Sequence, residues 1–155
     1  MPAHSYTLAL PLLAEADVEA RALGHSYIGP EHLLIAVAVN ATGVSRTFLG
    51  RHGMSAERLR ESVAELIGPE RMTARDHGPL ALAHRSVVAL AHALSSGHRT
   101  QHWPEPYSAD ELFVALLDDD VAPAGTIGAM LEDAGLTLAA ARAELAALHA
   151  RAIAD

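Results

Sequence analysis

Cysteine and lysine are both missing from the 155 residues. Without cysteine there is no disulfide, no thiol nucleophile and no Cys-based zinc site. All eleven basic residues are arginine, so a Walker A loop, whose lysine must reach the β- and γ-phosphates, is excluded. Lysine Schiff-base chemistry is excluded with it. Aromatics are few, at one Trp, three Tyr and two Phe, and with β-branched residues also sparse an all-β fold is out of reach. No apolar run approaches the ~18 residues that span a bilayer. The first residues lack a basic stretch followed by a hydrophobic one, so no secretory signal is expected. Positive charge is short too: the net charge is −8, which argues against nucleic-acid binding and against docking on anionic membranes. These absences point to a cytoplasmic protein with no cofactor.

Half of the residues are apolar, enough for a core. Ala and Leu dominate them, and both favour helix. The length suits one compact domain.

The chain also repeats itself. Gly24-His25 is echoed by Gly97-His98, and the run from Glu31 to Val37 by the run from Glu111 to Leu117. Gly43 is echoed by Gly125, Phe48-Leu49 by Met130-Leu131, Gly53-Met54-Ser55 by Gly135-Leu136-Thr137, and Arg60 by Arg142. The offset grows from 73 to 80 and then 82, and residues 99–108 form an insertion where loops absorb one. Each repeat reads as four helices: 6–23, 30–40, 44–52 and 55–67, then 80–96, 109–118, 124–134 and 137–153. Gly24, Gly53, Gly97 and Gly135 stand where helices end in a left-handed residue. Ser55 and Thr137 stand at N-caps, and Pro30 suits a first turn. Residues 68–79, bracketed by Gly-Pro pairs, read as a linker between repeat 1 (5–67) and repeat 2 (80–153). The expected fold is all-α, two pseudo-symmetric four-helix repeats in one domain over 1–155.

The run Ala20-Arg21-x-Leu23-Gly24-His25-x-Tyr27-Ile28-Gly29-x-Glu31-His32-Leu33-Leu34 resembles the first repeat of the Clp amino-terminal domain. Gly43-Val44 and the stretch from Leu49 to Arg60 continue the likeness, and the second repeat follows it more weakly. The resemblance implies the double Clp repeat of eight helices. It also implies a docking domain that recruits substrates or adaptors to Clp unfoldases, here without the ATPase, and so binding rather than turnover. Expected partners are degradation substrates, adaptor proteins or a Clp unfoldase, with the domain serving as an adaptor or a decoy that recognises arginine-phosphorylated proteins or cyclic-peptide ligands.

In ClpC-type relatives this domain binds phosphorylated arginine, and the resemblance places the critical carboxylates at Glu31 and Glu111. A carboxylate can hold a guanidinium through two charge-assisted hydrogen bonds, while a helix N-terminus favours a phosphate. A Glu in a helix's first turn is equally at home as a cap. The chain departs from ClpC-type relatives at Pro30, where they carry Thr. Proline has neither the N–H nor the hydroxyl that could donate to a phosphate. Asp110 adds negative charge beside Glu111, which suits a cationic ligand or an unmodified arginine better. The candidate ligand-binding set is therefore Pro30, Glu31, His32, Asp110, Glu111 and Trp103. Trp103 lies in the insertion, in a proline-stiffened stretch suited either to contacts or to a lid. The ten histidines show no metal spacing such as His-Glu-x-x-His, so no metal site is expected. The acidic run 118–120 reads as a solvated helix end. Two alternatives to a docking module stay open: a structural dimerisation partner with an apolar patch, and a His-dependent helical hydrolase with converging His and acid groups.

Overall fold

The structure is a computed structural model that describes residues 11–67, 80–96, 108–122 and 125–154. Among these residues there are eight helices and one pair of two-residue strands. Repeat 1 holds α1 (Pro11–Ala22), β1 (Tyr27–Ile28), α2 (Pro30–Val39), α3 (Gly43–Arg51) and α4 (Ala56–Leu66). Repeat 2 holds β2 (Ala81–Leu82), α5 (His84–Ser96), α6 (Ala109–Leu116), α7 (Thr126–Asp133) and α8 (Leu138–Ala154). The linker 68–79 and the insertion, Ser108 apart, lie outside the described residues. So do Gly97-His98, residues 1–10, and residues 123 and 124. Among the described residues no single helix is long and apolar enough to cross a membrane.

Helix α2 is the hub. Its sequence is apolar on every side after Glu31-His32, and a helix without a polar face must be enclosed. Every residue from Pro30 to Val37 is buried, with α1, α3, α4, α5, α6 and α7 packed around it. Phe48 on α3 and Phe113 on α6 meet edge to face across the repeats, ring centroids 5.1 Å apart, and neither is exposed. The core is thus shared between the repeats rather than divided into two.

Helix ends follow the punctuation. Gly24 has φ 78°, and around it His25 N–H donates to Ala20 O at 2.9 Å. Gly135 has φ 80°, and Leu136 N–H donates to Leu131 O at 2.8 Å. Both are left-handed caps that satisfy carbonyls left over at a helix end. Ser55 Oγ accepts from Arg58 N–H, and Thr137 Oγ1 from Ala140 N–H, each at 3.1 Å.

The first helix of repeat 2 departs from expectation. It starts at His84, not at residue 80, because Ala81 and Leu82 leave the helix to pair in parallel with Tyr27 and Ile28. Ser86 Oγ then donates to Ile28 O at 2.8 Å, and Ala83 N–H to the same carbonyl at 3.0 Å. Two residues per strand offer too little period-2 pattern to stand out within an Ala/Leu-rich run. The fold remains all-α around this small clip.

Candidate functional site

Helix α2 opens Gly29-Pro30-Glu31-His32, and α6 opens Ser108-Ala109-Asp110-Glu111. Gly29 and Ser108 are the N-caps, so Glu31 is matched by Asp110 and His32 by Glu111. The match of Glu31 with Glu111 made on residue type is therefore one position out. Gly43 and Gly125 are likewise offset: Gly43 is the first residue of α3 after the Thr42 N-cap, whereas Gly125 is itself the N-cap of α7.

The third helical positions cap their own helices. Glu111 Oε1 accepts from Ser108 N–H at 3.0 Å, and Ser108 Oγ accepts from Glu111 N–H at 3.2 Å, a closed capping box. In repeat 1, Gly29 has no side chain to return the bond, and His32 Nδ1 accepts from Gly29 N–H at 2.8 Å. The second helical positions reach across the repeats. Glu31 Oε2 accepts from Thr126 Oγ1, at the start of α7, at 2.7 Å. Asp110 Oδ1 accepts from Ser45 N–H at 2.7 Å and its Oδ2 from Val44 N–H at 3.3 Å, both at the start of α3. Each repeat thus places a carboxylate at the positive end of a helix in the other repeat, where it is electrostatically favoured. Glu31 is 2% exposed and lies over Gly29, where any Cβ would collide with its carboxylate.

His32 is fully buried. Its Nδ1 is an acceptor, so the neutral ring carries its proton on Nε2, which lies 2.7 Å from His25 Nδ1 and donates to it. Burial pushes the His32 pKa down to about 4, against the opposing attraction of Glu31. Pro30, Glu31 and His32 are all part of the interior. Asp110 and Glu111 are half-buried, and Glu111 Oε2 has no hydrogen-bond partner among the described residues. Trp103 lies outside the described residues.

Several contributors escaped the sequence reading. Val44, Ser45 and Thr126 complete the clasps from 65 to 95 residues away. Thr126 directly follows Gly125 and Ser45 stands two residues after Gly43, a pattern too short to mark a partner in the other repeat. Arg60 was noted as a repeat match, and its partner is Glu19 on α1: Arg60 Nε donates to Oε1 at 2.7 Å and Nη2 to Oε2 at 2.8 Å. Those hydrogen bonds hold the Glu19 carboxyl below the usual range and push the Arg60 guanidinium up. Val114, Leu117, Leu145 and Ala146 line a groove of about 360 Å³ between α6 and α8, flanked by Arg142 and His149.

Comparison with known proteins places this geometry. The family described as Clp repeat (R) N-terminal domain matches residues 9–129. The chaperone protein ClpB of Oceanobacillus iheyensis is 38% identical over 60 residues, 39% of this chain and 7% of that protein. The negative regulator of genetic competence ClpC/MecB of Bacillus subtilis is 42% identical over 50 residues, 32% of this chain and 6% of that protein. The matched stretches are thus a small fraction of these relatives' length. Among solved structures, the N-terminal domain of ClpD from Arabidopsis thaliana superposes with TM-score 0.63 at 18% identity, covering 90% of this chain and 92% of that one. The Hsp104 N-terminal domain from Candida albicans gives 0.60 at 16%, covering 86% and 83%. At these identities the superpositions establish the fold, and the family match over most of the chain establishes kinship: the chain belongs to the Clp repeat N-terminal domain family.

Proposed function

We propose that this domain is a non-catalytic docking module that captures polypeptides, substrates or adaptors, for a Clp unfoldase in the cytoplasm, and that it recognises arginine side chains at the helix starts where Glu31, Asp110 and Glu111 lie. The observation that supports the reading lies at the start of α6, where half-buried Glu111, next to Asp110, has an Oε2 without a hydrogen-bond partner among the described residues. Glu31 is 2% exposed and Asp110 accepts two amides, so a guanidinium reaches those two only by displacing Thr126, Val44 or Ser45. A guanidinium offers five donors in a planar fork and satisfies such acceptors in pairs. A phosphate is less well served. Pro30 contributes no N–H, and Asp110 already takes the amides of Val44 and Ser45. The reading therefore favours unmodified arginine over phosphoarginine, above all in repeat 2.

Calorimetric titration with arginine-containing peptides and with phosphoarginine, beside Glu31→Ala and Glu111→Ala variants, tests it. Arginine-peptide binding weakened in the variants supports the reading. Tighter binding of phosphoarginine, lost in Glu31→Ala, would restore the phosphate site of ClpC-type relatives. No heat with either ligand removes arginine recognition altogether.

One observation favours a second reading. Val87 and Leu94 are about half exposed on one face of α5, which suits self-association. Light scattering across a concentration series distinguishes it by mass.

A further inference from the structure

The two repeats treat one equivalent position differently. In repeat 1, Glu19 on α1 is bonded twice to Arg60. By the spacing of the Gly-His pairs, its counterpart on α5 is His92, and the counterpart of Arg60 is Arg142. Arg142 does not meet His92. Its Nε donates to the Leu117 carbonyl at 2.6 Å, and its Nη2 lies 2.7 Å from Asp119 Oδ1. His92 instead faces two carboxylates from the turn after α6: its Nε2 is 3.7 Å from Asp118 Oδ1 and 3.4 Å from Asp120 Oδ2. One ligand atom from each of the three residues lies within 4.8 Å of the others.

These separations are longer than a charge-assisted hydrogen bond of ~2.7–2.9 Å. The shorter, 3.4 Å, is the edge of a tetrahedron about a small metal ion, and the longer, 3.7 Å, lies a little outside it, within reach of a small side-chain rotation. With bonds of roughly 2.1 Å, neighbouring ligand atoms stand about 3.0 Å apart in an octahedron and about 3.4 Å in a tetrahedron. The turn is built to hold them there. Asp120 N–H donates to Asp118 Oδ1 at 3.0 Å, which fixes that carboxylate. Val121 and Ala122 N–H both donate to the Asp118 carbonyl, and Asp119 is turned to the other side, towards Arg142. Arg85, two turns earlier on α5, reaches the Val121 carbonyl at 3.4 Å. A neutral imidazole with two carboxylates carries two negative charges and one nitrogen donor. Imidazole selects borderline first-row ions, and carboxylates supply the charge.

We propose that His92, Asp118 and Asp120 bind a divalent first-row transition ion of the zinc class, with water in the remaining positions, tying α5 to the turn between α6 and α7. The site is separate from the helix-start carboxylates and does not depend on their role. Spacing hid it, because its nitrogen and its carboxylates lie on different elements and form no local motif.

The test titrates the full chain calorimetrically with Zn²⁺ and Co²⁺, with Mg²⁺ as control, and records the visible spectrum of the Co²⁺ form. The expected result is one Zn²⁺ per chain at micromolar affinity and little heat from Mg²⁺. Affinity should weaken about tenfold or more in His92→Ala and, separately, in Asp120→Asn, both of which keep their helical circular dichroism. The Co²⁺ bands should differ from those of the hydrated ion, a reading that needs no variant. Absence of saturable binding, a Co²⁺ spectrum equal to that of the hydrated ion, or equal affinity in His92→Ala would each overturn the proposal.

Discussion

Glu31 and Asp110 occupy the same position of equivalent helices, and each engages the start of a helix in the opposite repeat, Glu31 at Thr126 and Asp110 at Val44 and Ser45. The exchange locks the repeats together at the positions where the resemblance to ClpC-type relatives looks for a ligand. Occupied acceptors and donors at a candidate site mean that any ligand competes with the protein's own contacts, and this shapes the predictions below.

Asp110→Ala leaves the first amides of α3 without their acceptor. Loss of a charged cap at a helix N-terminus costs about 1–2 kcal/mol. Urea denaturation should show a lower midpoint with an unchanged slope. An unchanged midpoint would mean that water replaces the carboxylate at no cost.

The pair Glu19–Arg60 should respond asymmetrically. Glu19 is 3% exposed, whereas the Arg60 side chain is 44% exposed. Arg60→Ala strands a buried carboxylate and should cost about 2–3 kcal/mol, below the ~3–5 of a fully enclosed pair because water reaches the arginine. Glu19→Gln leaves only a half-solvated guanidinium and should cost about 1 kcal/mol. Equal losses in the two variants, measured by denaturation, would contradict this account.

Acid should weaken the fold in two stages. The buried His32 has its pKa lowered to about 4, against about 6.5 when unfolded. Between these values the unfolded chain takes up a proton that the folded one refuses, so stability is full above about pH 6.5 and declines as pH falls towards 4. The loss from this group is on the order of 3 kcal/mol. Glu19, held low chiefly by its hydrogen bonds from Arg60, adds stability above the ordinary carboxylate range that is lost as pH falls below it. Urea midpoints at intervals from pH 7 to 3 should fall across both windows. A flat profile between pH 6.5 and 4.5 would mean that His32 is charged in the fold.

Phe48 and Phe113 belong to different repeats, yet each should behave as a residue of one core. Either Phe→Ala change should cost about 3–4 kcal/mol. The double variant should lose less than the sum, since the two rings share a direct contact that either change already removes. Strict additivity would argue for two cores that fold apart.

The eight helices were legible because their signals are local. Gly24, Gly53 and Gly135 mark ends that require positive φ, and Ser55 and Thr137 mark starts with a hydroxyl three residues from the amide that it caps. The strand pair Tyr27–Ile28 and Ala81–Leu82 was not legible, since two residues carry no period and their partners are 54 positions apart. At the candidate site, residue type misled by one position. Aligning Glu31 with Glu111 satisfied chemical identity, but helical phase pairs Glu31 with Asp110, because Pro30 and Ala109 both open their helices. Nor could the sequence reveal that His32 turns inward to His25, as a histidine at a first turn can equally face water. Glu111 was read both as a ligand carboxylate and as a cap, and it closes the capping box of α6.

The central claim is that carboxylates at the helix starts give this domain its hold on arginine-bearing polypeptides. Fluorescence anisotropy of an unstructured, arginine-containing polypeptide, compared with the same polypeptide with every arginine replaced by glutamine, tests it most directly. The account predicts saturable binding of the first, at least about fivefold weaker binding of the second, and a similar weakening, about 1 kcal/mol, when Glu111 is changed to Ala. Equal binding of both polypeptides, or binding indifferent to Glu31, Asp110 and Glu111 alike, would contradict it and move the docking surface to another face of the domain.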